Sequence, residues 1–183
     1  MMERLLLALL LAVVALPAAA LDVPGLMKLL AATPEVTKPY LERKFSPLLV
    51  ASVDSAGTLH YRRPDLLEKQ VTKPRSERYR ILADAVVIER GGKEQRIALS
   101  SQPALAAFAA SLRGVLSGDA AQLQRYFTLK ADGTDAAWTL ELTPSDPAIK
   151  GYVERVVVTG RQGQVTRIET FEASGDRTLL EIP

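Results

Sequence analysis

Cysteine is absent from the 183 residues and histidine occurs once, as His60. Without thiols there is no disulfide, no thiolate metal site and no cysteine nucleophile, so stability must come from apolar burial. Aromatic residues make up only 5% of the chain, too few to build a stacking platform for nucleic-acid bases. Neither charge sign is in surplus: Lys and Arg total 23 against 21 Asp and Glu, a net +2 that cannot neutralise a run of phosphates. Nucleic acid is therefore excluded as an expected partner. Also missing are a Gly-x-Ser-x-Gly elbow, a His-Glu-x-x-His helix, an Asp-x-Asp-x-Asp-Gly cation loop and a phosphate loop around Gly91-Gly92-Lys93. No catalytic activity, metal or cofactor is expected. His60 reads as a solvated strand residue, and Asp132 and Asp135 as part of a turn.

What the sequence has is a 12-residue apolar run, Leu5 to Leu16, after Arg4 and before Pro17 and Ala18-Ala19-Ala20. That is shorter than the roughly 20 residues a spanning helix needs and has the form of a secretory signal peptide. Cleavage is expected after Ala20, an uncleaved anchor being the other reading. Residues 21–183 would then form one domain in the periplasm, with enough chain for a single core.

Asp22-Val23-Pro24-Gly25 opens a helix with Val23, Leu26, Met27 and Leu30 on one face, closed by Pro34. Alternation then takes over to about Leu99. Leu59 and Tyr61, Tyr79 and Ile81, Val86 and Ile88, and Ile97 and Leu99 each mark a strand with one apolar face. Asp54-Ser-Ala-Gly57 and Gly91-Gly92 read as hairpin turns, and Arg63-Pro64 and Lys73-Pro74 as strand ends. From Pro103 to Gly118 the period becomes helical, with Leu105, Phe108, Leu112, Val115 and Leu116 in one stripe, and Asp119 caps a short third helix. Strands resume at Phe127 and continue to Ile182. They are broken at Asp132-Gly-Thr-Asp135, by a loop from Pro144 to Gly151, at Gly160-Arg-Gln-Gly163 and at Ser174-Gly-Asp176.

About ten such strands with two to three helices predict a mainly β (α+β) fold. It is expected to be an incomplete antiparallel barrel, a strongly curved sheet whose concave face is lidded by helices. If the helices fill that concavity incompletely, an apolar groove remains. Its wall is expected from Leu59, Tyr61, Tyr79, Ile81, Val86, Ile88, Leu105, Phe108, Leu112, Trp138, Leu140 and Leu142. Between Arg62 and Arg80 seven basic residues face three acidic ones, a pattern read as the wet face of strands.

The element Gly57-Thr-Leu-His-Tyr-Arg-Arg-Pro-Asp-Leu-Leu67, with Thr72-Lys-Pro74, Leu142-Thr-Pro144, Gly160-Arg-Gln-Gly163 and Asp176-Arg-Thr178, resembles the periplasmic lipoprotein carrier LolA. It is most similar to the diverged branch of that family. The resemblance implies a monomeric carrier that shields acyl chains of a lipoprotein or related lipid, taking cargo from an inner-membrane donor complex to an outer-membrane acceptor. It also implies that Arg63, in the family's Arg-Pro pair, bonds carbonyls of the lid helices and holds the lid shut. The family's aromatics after that pair are here Leu67 and Lys69, and the C-terminal extension of its main branch is not expected after the last strand. A non-carrying periplasmic interaction protein is the alternative function.

Overall fold

Asp22 starts the first helix by accepting a hydrogen bond from Gly25 N at 2.8 Å, with Pro24 pre-set in the first turn. This helix, α1 (Val23–Ala31), buries Leu26, Met27 and Leu30 at helical spacing. The computed structural model describes residues 21–63 and 66–183. The leader expected at 1–20, and Pro64 as a strand end, lie outside the described residues.

After α1 come β1 (Glu35–Phe45), β2 (Val53–Arg62), β3 (Leu66–Lys73), β4 (Glu77–Ile81), β5 (Ala85–Arg90) and β6 (Lys93–Ala98). A 3-10 turn over Leu99–Ser101 leads into α2 (Pro103–Ser117) and α3 (Ala120–Gln124). The chain closes with β7 (Phe127–Thr134), β8 (Ala137–Pro144), α4 (Pro147–Lys150), β9 (Val153–Arg161), β10 (Gln164–Glu172) and β11 (Arg177–Glu181). All eleven strands form one antiparallel sheet in the order β6-β5-β4-β3-β2-β1-β11-β10-β9-β8-β7.

The sheet's two edges, β6 and β7, are consecutive strands joined only through α2 and α3. Laid flat, ten strand spacings would separate them by about 48 Å. The α2 rod covers only about 22 Å, and α3 folds back on it rather than extending it. A sheet of this size curls, and the connection fits edges drawn toward each other without closing a barrel.

The core lies between the helices and the β7–β10 half of the sheet. Leu26, Met27, Leu30 and Leu123 pack there with Phe127, Trp138, Leu140, Leu142 and Val158. Trp138 is seated by Gly160: a Cβ at that position would come within 2.3 Å of the indole ring. The indole Nε1 donates to Gln162 O at 2.7 Å, so a buried polar group is satisfied.

Several sequence expectations need correcting. Asp54 to Gly57 is not a turn but lies inside β2, and the hairpin tip falls at residues 46–52. Gly57 is there for close approach: a Cβ would meet Gln70 O at 1.8 Å, next to the β-bulge that pairs β2 with β3. Leu99 belongs to the 3-10 turn rather than to a strand, β7 runs through Gly133 to Thr134, and the Pro144–Gly151 loop contains α4, capped by Asp146.

Candidate functional site

Antiparallel register decides which side chains share a face. One row crosses β2 to β6 as Tyr61, Leu67, Ile81, Val86 and Ile97, and the next as Leu59, Lys69, Tyr79, Ile88 and Gln95. On the other half a row runs Ala131, Leu140, Val158, Ile168 and Leu180 from β7 to β11. All nine strand residues expected on the wall therefore occupy one face, the face toward the helices. Trp138, Leu140 and Leu142 are fully buried beneath α1 and α3, Tyr61 and Val86 are buried, and Leu59, Tyr79, Ile81 and Ile88 are half-buried.

The helical part of the expected wall is placed differently. Phe108 is 43% exposed, and Leu105 and Leu112 are half-buried. The residues of α2 that sink into the protein are small: Ala107, Ala109, Ser111, Gly114 and Val115. Small residues let helices approach closely, and a Cβ on Gly114 would meet Leu123 Cγ at 2.8 Å. Close helix packing, rather than bulk, selects the buried side of α2. The groove is correspondingly occupied by the protein's own Leu26, Met27, Leu30 and Leu123.

The helices meet the rest of the molecule through few polar contacts. Arg63, just past β2, donates from Nη2 to Ser117 O at 2.9 Å. That carbonyl is in the last turn of α2, where carbonyls lack intrahelical partners. Gly118 follows with φ 69°, and a Cβ there would meet Met27 O of α1 at 2.1 Å. Arg63 thus bonds α2 next to the point where α1 and α2 touch. A second tie was not foreseen: Arg113 donates to Leu82 O, just beyond β4. Its signal in the sequence is its isolation, as the one charged residue in α2. The same C-terminal half of α1 also rests on the β9–β10 turn, where a Cβ on Gly163 would meet Leu29 O at 2.6 Å and Thr33 Oγ1 donates to Gly163 O at 3.3 Å.

Toward the opposite end of the strands the same face turns polar. The row through Leu180 continues into Glu42 and Ser55. A pocket of about 510 Å³ is lined there by Glu42, Ser55, Lys69, Val71, Pro74, Arg75, Glu77 and Tyr79. Lys69 pairs with Glu42 at 2.6 Å and sits 5.0 Å from the Tyr40 ring centre, and Arg90 pairs with Glu77 at 2.7 Å. Hydrogen bonds from Tyr79 and Arg90 hold the Glu77 carboxyl below its ordinary range. Burial pushes the Tyr40 phenol up to about 12, and burial with the bond to Glu77 raises that of Tyr79. Near neutral pH the pocket therefore carries a charged Glu77 beside a neutral Tyr79 phenol. Tyr79, expected on an apolar wall, belongs partly to this lining.

Remaining positions behave as ordinary surface. His60 bonds Glu35 Oε1 at 2.9 Å, and within the basic stretch Arg80 pairs with Glu94 at 2.7 Å and Arg78 with Glu68 at 3.6 Å. Among the described residues no group of three or more His, Cys, Asp or Glu side chains is placed to hold a metal ion. No described helix is long and apolar enough to cross a membrane.

Comparison with known proteins adds a family and a fold. The family described as "Outer membrane lipoprotein carrier protein LolA-like" matches residues 15–181. No curated protein matches the chain by sequence. Among solved structures, a putative outer membrane lipoprotein-sorting protein domain from Vibrio parahaemolyticus is similar with TM-score 0.51 at 12% identity, over 87% of this chain and 88% of that one. A LolA superfamily protein from Nitrosomonas europaea is similar with TM-score 0.47 at 13% identity, over 88% and 91%. The lipoprotein LppX from Mycobacterium tuberculosis aligns over 87% and 94% at 12% identity, with TM-score 0.38.

Proposed function

We propose, on the premise that this chain belongs to the outer membrane lipoprotein carrier protein LolA-like family, that it carries the acyl chains of a lipoprotein or related lipid across the periplasm, beneath α1 and α3. The observation that supports this reading most is the apolar wall around Leu140, covered by separate short helices rather than by the body of the fold.

The energetics suit exchange. Burying one long acyl chain is worth on the order of 10 kcal/mol at about 0.8 kcal/mol per CH₂. Leu26, Met27, Leu30 and Leu123 occupy the same wall, and at about 1.5–3 kcal/mol each they contribute about 6–12 kcal/mol. Cargo and helices are thus evenly matched competitors for one surface, and a few polar ties decide which of them holds it. Uptake and release then need no nucleotide energy. Donor and acceptor act by presenting or receiving the acyl chain while the helices swing out or back.

Trp138 reports directly on this competition, because it is the chain's single tryptophan and lies buried under the helices. Titration with a long-chain fatty-acyl ligand is expected to change its emission saturably as the helices give way. Unchanged emission at saturating ligand would contradict entry of cargo at this wall and favour the reading of the protein as an interaction module.

A further inference from the structure

The most exposed apolar side chains of the described protein, Leu48 and Val50, lie at the β1–β2 hairpin tip, at the opposite end of β2 from Arg63. Leu48 is 92% exposed, Leu49 51%, and Val50 wholly exposed, with Phe45 and Val53 partly exposed behind them. None of the residues between Lys44 and Asp54 carries a charge. Water-facing aliphatics of this size, three in a row, stand apart from the scattered exposed leucines of ordinary surfaces.

The tip is a built feature. Leu49 N donates to Ser46 O at 3.1 Å and closes a turn. Pro47 sits beside Gly175 of the β10–β11 turn, where a Cβ would meet Pro47 Cγ at 3.4 Å. Directly behind lies a collar of neutralised charges: Arg43 with Asp54 at 3.1 Å, and Lys44 with Asp176 at 3.0 Å and Glu172 at 3.2 Å. Arg177 stands 5.5 Å from the Phe45 ring centre, closing the collar on that side.

We infer that this tip is a membrane-contact element that dips Leu48, Leu49 and Val50 into the acyl boundary of a lipid bilayer, with the ion-paired collar at headgroup level. Two observations favour a bilayer over a protein partner. A stable protein interface buries about 800 Å² on each side, far more than one seven-residue convex turn offers, whereas bilayer contact needs only the tip. The turn also carries little polar side-chain chemistry to specify a partner: its serines bond locally, Ser46 Oγ accepting from Leu48 N and Ser52 Oγ donating to Asp54. Because the collar charges are paired, attraction to anionic lipid is not required, and insertion is driven by apolar transfer. The tip lies at the opposite end of β2 from Arg63, about 30 Å along the strand, so membrane contact leaves the helix ties free. This inference does not depend on what the protein carries.

The test is flotation of the full-length mature chain with phosphatidylcholine and phosphatidylethanolamine vesicles. The wild type is expected to partition to vesicles with little change as salt rises from about 0.05 to about 0.5 M. The triple variant Leu48→Ser, Leu49→Ser, Val50→Ser is expected to lose about tenfold or more of that partitioning, with its thermal unfolding unchanged because the side chains are already in water. The lack of native cysteine allows a second reading: an environment-sensitive dye on Leu49→Cys should brighten with vesicles, while the same dye on Thr58→Cys, on the outer face of β2, should not. Failure of the wild type to float, equal flotation of the triple variant, or loss of binding at the higher salt would each overturn the inference. None of these outcomes bears on the Trp138 titration, so the two readings fail separately.

Discussion

Arg63→Leu is expected to leave folding and cargo uptake largely intact and to slow cargo transfer about fivefold, while Arg62→Leu changes little. A charge-assisted hydrogen bond contributes about 1.5–3 kcal/mol. The Arg63 side chain is exposed, so solvent screening reduces that to about 1 kcal/mol, a factor of about five. The lost bond is the one to Ser117 O. Without it the helices compete less well for the wall around Leu140, cargo is held more tightly, and its release to an acceptor slows. Arg62 ends β2 opposite Glu35, on the face away from the helices, and makes no bond to α2. A reconstituted donor-to-acceptor transfer assay checks the pair of variants, with equal transfer by wild type and Arg63→Leu contradicting the role of the tie.

Gly118→Val is expected to have the largest effect on the helices themselves. The position has φ 69°, which a β-branched residue tolerates poorly, and the new Cβ would sit 2.1 Å from Met27 O, a backbone atom that can yield only if α1 moves. The cost should reach about 3 kcal/mol or more, lowering the melting temperature by roughly 6–12 °C. Gly92→Val is the matching control: its φ is 74° but nothing lies within 4 Å, so only the backbone penalty of about 1–2 kcal/mol applies. Thermal unfolding of the two variants side by side separates loss of the α1–α2 contact from backbone strain. Equal melting temperatures would mean that α1 is not held at Gly118.

The parts of this architecture that the sequence reveals are those where one periodicity and one kind of burial coincide. Leu59 and Tyr61, and Trp138 to Leu142, alternate because one side meets the interior and the other is more exposed, whereas β5 is buried on both faces at Val86 and Val87. β1 breaks that rule and is hard to see as a strand. Its inward side chains include Lys38, Glu42 and Lys44, the last two ion-paired across the sheet, while Leu41 and Phe45 face outward. The polar pocket is hidden for the same reason. Phe108 misleads because bulk usually marks the buried side of a helix, whereas α2 packs through alanine, serine and glycine. Gly57 misleads because glycine signals a turn as readily as it signals a close backbone approach. The exposed tip carries no periodic signal, since seven residues between strands have none to show. Arg63 was marked by the family's Arg-Pro pair, and the structure brings its guanidinium to a helix-terminal carbonyl. Whether that contact acts as a lock is what the transfer assay decides.

The carrier reading is tested most directly by native mass spectrometry of the protein recovered gently from its own cells. The account predicts a fraction of molecules carrying one bound acylated species, a phospholipid, fatty acid or acylated peptide, released on mild activation. That fraction should increase in Arg63→Leu. Protein that is consistently empty in both forms, under conditions where a known lipid carrier retains its lipid, would contradict it.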